Sequence, residues 1–285
     1  MSTTPTVTPS EQLGWEARVG RFAAGAAFLA AACAAASTAV QLSIGGAKPE
    51  DRSEALMRFD EHRSEYVLSL GFQILSYFLL AGALLYLLRA TTYRRPETPK
   101  FSIGLVMLAP VLLAVGGVLS QIELGNVTDE FLAGGSTSNE RAKDLLKDQS
   151  ILGGAIGYGG ILCQALSFVI VSLNAMRAGL LSRFMGVLGI IVGGLLILPL
   201  LPGGQSVVQV FWLVAVGVLF IDRWPGGRGP AWETGEAVPW PSAAELREGA
   251  SEDPPAPERD EEPEPEAGAE RASQRVSKKR KRKRR

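Results

Sequence analysis

The sequence has very few of the side chains that build metal, haem or nucleophilic sites. Its 285 residues include one histidine, His62, and two cysteines, Cys33 and Cys163. Each cysteine lies inside an apolar stretch, and the pair has no CxxC or other metal-type spacing. Lone buried thiols usually pack as small apolar groups. We therefore expect no metal and no cofactor.

Motifs of the common enzyme classes are also absent. The sequence contains no P-loop, no GxSxG elbow and no HExxH motif. Its carboxylates fall in loops, without a histidine, a thiol or a metal constellation beside them. The glycines around position 157 lack the strand and the basic residue that a phosphate cradle needs. We expect that the chain is not an enzyme.

Charged residues are missing from five long stretches, although the chain carries 29 basic and 29 acidic residues. A helix needs roughly 20 apolar residues to cross a bilayer core about 30 Å thick. The first four stretches meet that length, and the fifth is nearly twice as long. The charged residues that bound the five stretches are at 21 and 48, 65 and 89, 100 and 123, 148 and 177, and 183 and 222.

The fifth stretch has a break at 200–204, where Leu-Leu-Pro-Gly-Gly favours a turn. We predict one span near 181–201 and a shorter one near 206–221; the alternative is a single span with a re-entrant segment. The fold class is therefore all-α: a polytopic membrane helix bundle of about six transmembrane helices with a disordered C-terminal tail. We expect an uncleaved first helix, and a cleaved signal peptide is the alternative.

Basic residues near the ends of the predicted spans indicate the topology. The short loop 89–100 holds four basic residues and one acid, whereas 45–65 and 123–148 hold six acids each. These two acid-rich loops also carry seven basic residues, so a simple count does not assign the sides. The density of basic residues beside the helix ends, together with the basic C-terminus, places the short loops on the cytoplasmic side. We predict three domains: a cytoplasmic N-terminal segment (1–20), a six-helix transmembrane domain (21–222) and a disordered cytoplasmic tail (223–285). In both acid-rich loops we expect short amphipathic helices, lying at the outer interface or extending the next span; a plain charged loop is the alternative.

Small and polar residues recur along one stripe of the fourth predicted span. Because lipid gives little hydrophobic drive between helices, such residues promote close backbone approach and interhelical hydrogen bonds. The second span repeats part of the pattern, since Gln73 and Ser76 match Gln164 and Ser167 in a five-residue segment. We interpret these residues as a helix-packing seam, with a substrate path between spans two and four as the alternative. The seam residues are Gln73, Ser76, Gly153, Gly157, Gly160, Gln164 and Ser167.

No ionisable residue falls in the middle of any predicted span. Intramembrane charge is the usual mark of ion coupling and proton relay. Its absence argues against a proton- or sodium-driven pump and leaves uniport of an apolar solute open.

The composition changes abruptly after position 222. Tryptophan and proline alternate up to 241, and the segment 245–270 then carries eleven acids in a Glu-, Pro- and Ala-rich context that cannot fold alone. The final fifteen residues carry ten positive charges and no acid. They end in an unbroken basic run: Lys278, Lys279, Arg280, Lys281, Arg282, Lys283, Arg284 and Arg285.

Two parts of the chain carry a family resemblance. One is the set 223–227 (Arg-Trp-Pro-Gly-Gly), 230–233 (Pro-Ala-Trp-Glu) and 239–242 (Pro-Trp-Pro-Ser); the other is the loop segment 174–186. They resemble an uncharacterised multi-pass membrane protein family of high-GC Gram-positive bacteria. The resemblance implies a bacterial plasma membrane, and no activity or site residue comes with it.

We predict a multi-pass plasma-membrane protein of unassigned, non-enzymatic activity, with a basic cytoplasmic tail that makes electrostatic contacts. Its partners are the lipid bilayer and, through the tail, anionic lipid headgroups or ribosomal RNA, with a homo-oligomer left open. The alternative is a small-solute transporter or channel.

Overall fold

The computed structural model describes residues 8–45, 51–147, 151–198, 204–225 and 227–240. These residues form helices and connecting segments, and none of them lies in a β-strand. One compact unit extends to Trp240. The helices are α1 Pro9–Ile44, α2 Arg52–Glu61, α3 Arg63–Arg94, α4 Phe101–Ala133, α5 Asn139–Lys147, α6 Leu152–Arg177, α7 Arg183–Ile197, α8 Gly204–Phe220 and α9 Ala231–Thr234.

Four helices are long enough and apolar enough to cross a membrane: α1, α3, α4 and α6. The apolar helices α7 and α8 are shorter, with 15 and 17 residues. At 1.5 Å per residue, 15 residues reach about 22 Å, less than a bilayer core of about 30 Å. The structure thus confirms an all-helical bundle of membrane type, and six spans remain a prediction.

The six apolar helices form a closed ring. Each one packs against its two neighbours in the order α8, α1, α3, α4, α6, α7 and back to α8, and α3 also touches α6 across the middle. Alanines line the side of α1 that faces the ring, so α1 and α3 approach closely. Polar side chains join the same two helices: Ser76 Oγ donates to the Ala30 carbonyl over 2.9 Å, and the Ser37 and Ser69 hydroxyls lie 2.9 Å apart.

The two expected short helices are present as α2 and α5. They pack against each other and against the last turns of α4, where Leu56, Phe131 and Ala142 form a small second core. Asp51 caps α2 by accepting from the Glu54 N–H at 3.0 Å, and before α5 the Ser138 hydroxyl accepts from the Arg141 N–H at 3.4 Å. We call this end of the ring the α5 end, and the opposite end, where α9 lies, the α9 end.

Two predicted boundaries differ from the structure. The N-terminal segment 1–20 was expected to precede the first helix, but α1 begins at Pro9 because Thr8 and Glu11 form a capping box. The disordered tail was expected from 223, but 223–225 and 227–240 are ordered, and Trp232 is buried in the core cluster. The acidic block and the basic run fall within 241–285, outside the described residues.

Candidate functional site

The glycine stripe of α6 faces α4. The alternative interpretation, a substrate path between the second and fourth predicted spans, would have required the stripe to face α3. A Cβ built on Gly153 would lie 2.8 Å from the Ser120 nitrogen, and one on Gly160 would lie 2.8 Å from the Leu113 nitrogen. The closest approach belongs to α4 itself: a Cβ on Gly116 would lie 2.4 Å from the Gly157 nitrogen. The backbones of α4 and α6 therefore touch at a crossing where Gly116, Gly153 and Gly160 have no room for a Cβ.

The polar residues singled out on α3 and α6 fall into two separate places. Ser76 faces α1, as described above. Gln164 and Ser167 instead meet Tyr77 at a gap beside Pro110 of α4, and Gln73 lies next to Tyr77 on α3. The gap is about 10 Å³, which is room for about one water molecule. A gap of this volume is too small to hold a solute larger than water.

The most strongly built polar cluster lies at the α9 end, where Arg94 of α3 meets Glu16 of α1. Their side chains are 0% and 3% exposed. Arg94 Nη1 and Nη2 donate to the two carboxylate oxygens of Glu16, the second over 2.9 Å. Arg94 Nε and Nη2 donate to the Ala231 carbonyl over 3.0 and 2.8 Å, and Nη1 donates to the Ala90 carbonyl over 3.1 Å. All five N–H bonds of the guanidinium are therefore directed at acceptors.

Glu16 is held equally tightly from the other side. Gln12 Nε2 donates to its Oε1 over 2.8 Å, and the Tyr86 hydroxyl donates to its backbone carbonyl over 3.1 Å. A buried ion pair gains only when its remaining hydrogen-bonding positions are filled, as they are here. The cluster can clamp α1 to α3, and its charged groups are engaged with each other and with the backbone.

The segment 227–240 closes the bundle over this cluster, and we call it the cap. Trp232 is its central side chain: the indole Nε1 donates to the Leu180 carbonyl in the α6–α7 connection over 2.9 Å. The guanidiniums of Arg94 and Arg228 lie 5.7 and 5.3 Å from its ring centroid. Arg228 also donates to the last carbonyls of α8, those of Leu219 and Phe220. The cap thus ties together α1, α3, α8 and the α6–α7 connection.

The α6–α7 connection fits the cap through a glycine. Gly179 has φ +76° and ends α6 in the left-handed conformation. A Cβ there would lie 1.8 Å from the Val238 carbonyl oxygen, so a side chain would push the cap away. Glycine is needed here both for its backbone conformation and for the close approach.

Sequence analysis missed the Glu16–Arg94 pair, although a signal for it exists. The buried positions of α1 recur at helical spacing from Gln12 through Glu16, Gly20 and Ala23 to Ala27. Extending the apolar stripe of α1 backward by two turns would have placed Glu16 on the buried side. A buried acid on one helix then requires a basic partner, and the basic end of α3 supplies Arg94.

The described residues contain no group of three or more histidine, cysteine, aspartate or glutamate side chains that could hold a metal ion. Cys33 and Cys163 are free thiols on α1 and α6. Comparison of the chain with protein-family models, with curated proteins and with solved structures gives no match.

Proposed function

We propose that the chain is a six-span integral protein of a bacterial plasma membrane, as the family resemblance also suggests, with a non-enzymatic role. The observation that carries the six spans is the apolar outer surface of α7 and α8. Val187 and Ile191 of α7 are 48% and 47% exposed, and Val207 and Phe211 of α8 are 70% and 52% exposed. Soluble proteins rarely expose apolar surface continuously around a bundle, whereas a lipid-facing ring requires it.

We further propose that the α9 end and both termini are cytoplasmic. The short connections at the α9 end carry Arg95, Lys100 and Arg183, and acids outnumber basic residues at the α5 end. Basic residues next to spans favour the cytoplasmic side. The basic tail would then lie at the inner leaflet, where each basic residue contributes about 1 kcal/mol of attraction to an anionic surface.

Reporter insertions test this topology. Reporters after Arg95 and after Arg183 should behave as cytoplasmic, and those within 134–138 as external. A reporter placed between 198 and 204 decides the number of spans: an external signal supports six spans, and a cytoplasmic signal would mean that α7 and α8 do not cross. Each reporter is compared with the same insertion after residue 240, which should always be cytoplasmic.

The proposed role of the tail is electrostatic contact with anionic lipid headgroups or with ribosomal RNA. The full chain is compared with a version lacking 271–285 for binding to anionic vesicles and to ribosomes. Binding that depends on these residues and falls steeply with salt supports the proposal. Equal binding by both versions would contradict it. Tighter binding after removal of the acidic block alone would show that this block competes for the basic run.

A second candidate function, transport of a small solute, has one observation in its favour. Tyr77, Gln164 and Ser167 place three polar side chains around a gap beside Pro110, where the helix of α4 lacks a backbone donor. Passage would require α3, α4 and α6 to separate. Flux of glycerol into proteoliposomes, compared between the native chain and Gln164→Leu, tests the path: equal flux in both would exclude it.

A further inference from the structure

A groove runs along the outer side of α3 near the α9 end, between the first turns of α1 and of α4. Its volume is about 570 Å³, within the range of about 300–1,000 Å³ typical of small-molecule sites. It differs from the buried Arg94 cluster because it is open at the side of the bundle, where α3 faces lipid. The side chains that matter for its chemistry are Gln12, Leu85, Leu88, Arg89, Thr92 and Ile103.

Along α3 the lining changes from apolar to polar in the direction of the membrane normal. Leu85 lies on the membrane side and Leu88, 1% exposed, lies almost one turn beyond it, whereas Ile103, in the first turn of α4, lies nearer the helix ends than Arg89 and is 49% exposed. Arg89 and Thr92 lie roughly one and two turns of α3 beyond Leu85, toward the helix end. An apolar floor that ends in a cationic rim matches one end of a phospholipid, with its acyl chains inside the membrane and its phosphate at the edge.

Arg89 supplies the charge at this rim. Its guanidinium lies 4.4 Å from the ring centroid of Trp15, and its side chain is exposed. Among the described residues no carboxylate pairs with it, in contrast to Arg94, whose donors are all used. The groove lining includes no acidic side chain. Arginine binds phosphate through its planar fork and is weakly hydrated, and stacking on tryptophan holds the fork in place.

We propose that this groove binds one anionic phospholipid from the leaflet at the α9 end, with its phosphate on Arg89 and its first methylenes on Leu85. The charge complementarity selects an anionic over a zwitterionic headgroup, because no acid in the lining would attract an ammonium group. The lining residues all belong to α1, α3 and α4. The site depends only on the chain being in a bilayer, and holds for either orientation of the bundle.

The test uses the full chain in a neutral detergent, with phosphatidylglycerol or phosphatidylcholine added. Bound lipid is counted by native mass spectrometry, and the lipid-induced rise in Tm is measured. Arg89→Gln is compared with Arg177→Gln, which removes an exposed arginine outside the groove and keeps the same net charge and the same tail. We expect phosphatidylglycerol to bind about tenfold more weakly to Arg89→Gln than to Arg177→Gln, the loss of one charge-assisted contact.

Two further arms keep the result interpretable. Arg89→Lys keeps the charge and should retain part of the preference for phosphatidylglycerol, which separates binding from any loss of stacking on Trp15. Glycerol phosphate, which has the phosphate and no acyl chain, should give no rise in Tm if the apolar floor contributes. Equal binding of phosphatidylglycerol by the two glutamine variants, or equal binding of the two lipids by the native chain, would overturn the proposal.

Discussion

Replacing Gly116 with alanine should separate two helices that now touch. The added Cβ would lie 2.4 Å from the Gly157 nitrogen, 2.5 Å from its Cα and 2.9 Å from the Gly153 carbonyl oxygen. These atoms are backbone, so no side-chain rotation can relieve the clash. Restoring contacts of 3.4 Å would require α4 and α6 to move apart by about 1 Å, into a region where dispersion attraction falls quickly.

The cost can be estimated against two matched substitutions. Alanine is favoured over glycine in a helix by about 1 kcal/mol, and this gain applies to all three sites. Gly104 of α4 has no heavy atom within 4 Å of the added Cβ, and at Gly157 the nearest atom is the Gly116 Cα at 3.9 Å. Overpacking costs typically about 1–3 kcal/mol. We therefore expect Gly116→Ala to be about 1–3 kcal/mol less stable than Gly104→Ala, with Gly157→Ala close to the latter.

Thermal unfolding of the full chain in detergent, followed by tryptophan fluorescence, measures the order of the three variants. The asymmetry is the informative part, because Gly116 and Gly157 are partners in one contact and differ only in where their Cα–H bonds point. If Gly157→Ala lowered Tm as much as Gly116→Ala, the crossing geometry described here would be wrong. Equal Tm for Gly116→Ala and Gly104→Ala would mean that the helices are not in backbone contact.

Three further predictions concern the two ends of the ring. Arg94→Gln should destabilise the chain by about 3–5 kcal/mol, because it leaves the Glu16 carboxylate buried and unpaired, whereas Arg95→Gln should have a far smaller effect on Tm. Trp232→Phe removes the indole donor, so limited proteolysis should cut the cap faster while the rest of the ring stays resistant. At the α5 end, the backbone N–H of Glu54 and then the hydroxyl of Ser53 lower the pKa of Asp51 from its ordinary 3.8. The stabilisation of α2 by Asp51 is therefore present above pH 3.8 and is lost as the pH falls through the lower pKa of the folded state. Amide exchange in α2 should rise in acid, and Asp51→Asn should lack this pH dependence.

The long helices were predictable because the signal for them is local. An uncharged stretch of sufficient length specifies a helix in lipid without reference to the rest of the chain, and α1, α3, α4 and α6 follow from it. The lengths of α7 and α8 were less predictable, because one continuous apolar stretch holds both and only the break at 200–204 divides it. Their place in the ring depends on contacts such as that of Trp212 Nε1 with the Met185 carbonyl, 3.1 Å away.

The packing seam was predictable on one helix and not on its partner. The spacing of Gly153, Gly157 and Gly160 identifies a stripe on α6, but a stripe does not say which helix it faces. A path between the second and fourth predicted spans was only the alternative interpretation, and in the structure the helix that the stripe faces is α4. Gly116 sits in an ordinary Gly-Gly pair of an apolar helix, and only the crossing point makes it the tightest position.

The cap was the largest error of the sequence-based reasoning, and its cause is physical. A segment rich in proline and tryptophan and poor in helix periodicity cannot bury its own apolar surface, so composition predicts disorder. Here the surface it needs is supplied by other parts of the chain: a carbonyl from the α6–α7 connection, a guanidinium from α3 and aromatic rings from α3 and α8. Composition measures what a segment can do alone, and docking depends on what the finished ring presents.

The two arginines near the end of α3 show how the cap and the groove are connected. Arg89 lies over Trp15, whose ring centroid is 5.4 Å from that of Tyr86, and Tyr86 in turn stacks 6.2 Å from Trp232, which lies beside Arg94. Three aromatic rings therefore lie between an exposed cation and a buried one. Packed rings transmit displacement to their neighbours, so these contacts give a physical route by which displacing the cap can alter the support of Arg89. Trp15 and Tyr86 do not line the groove themselves; they connect its Arg89 to Trp232 of the cap through ring contacts, and contact alone does not establish energetic coupling.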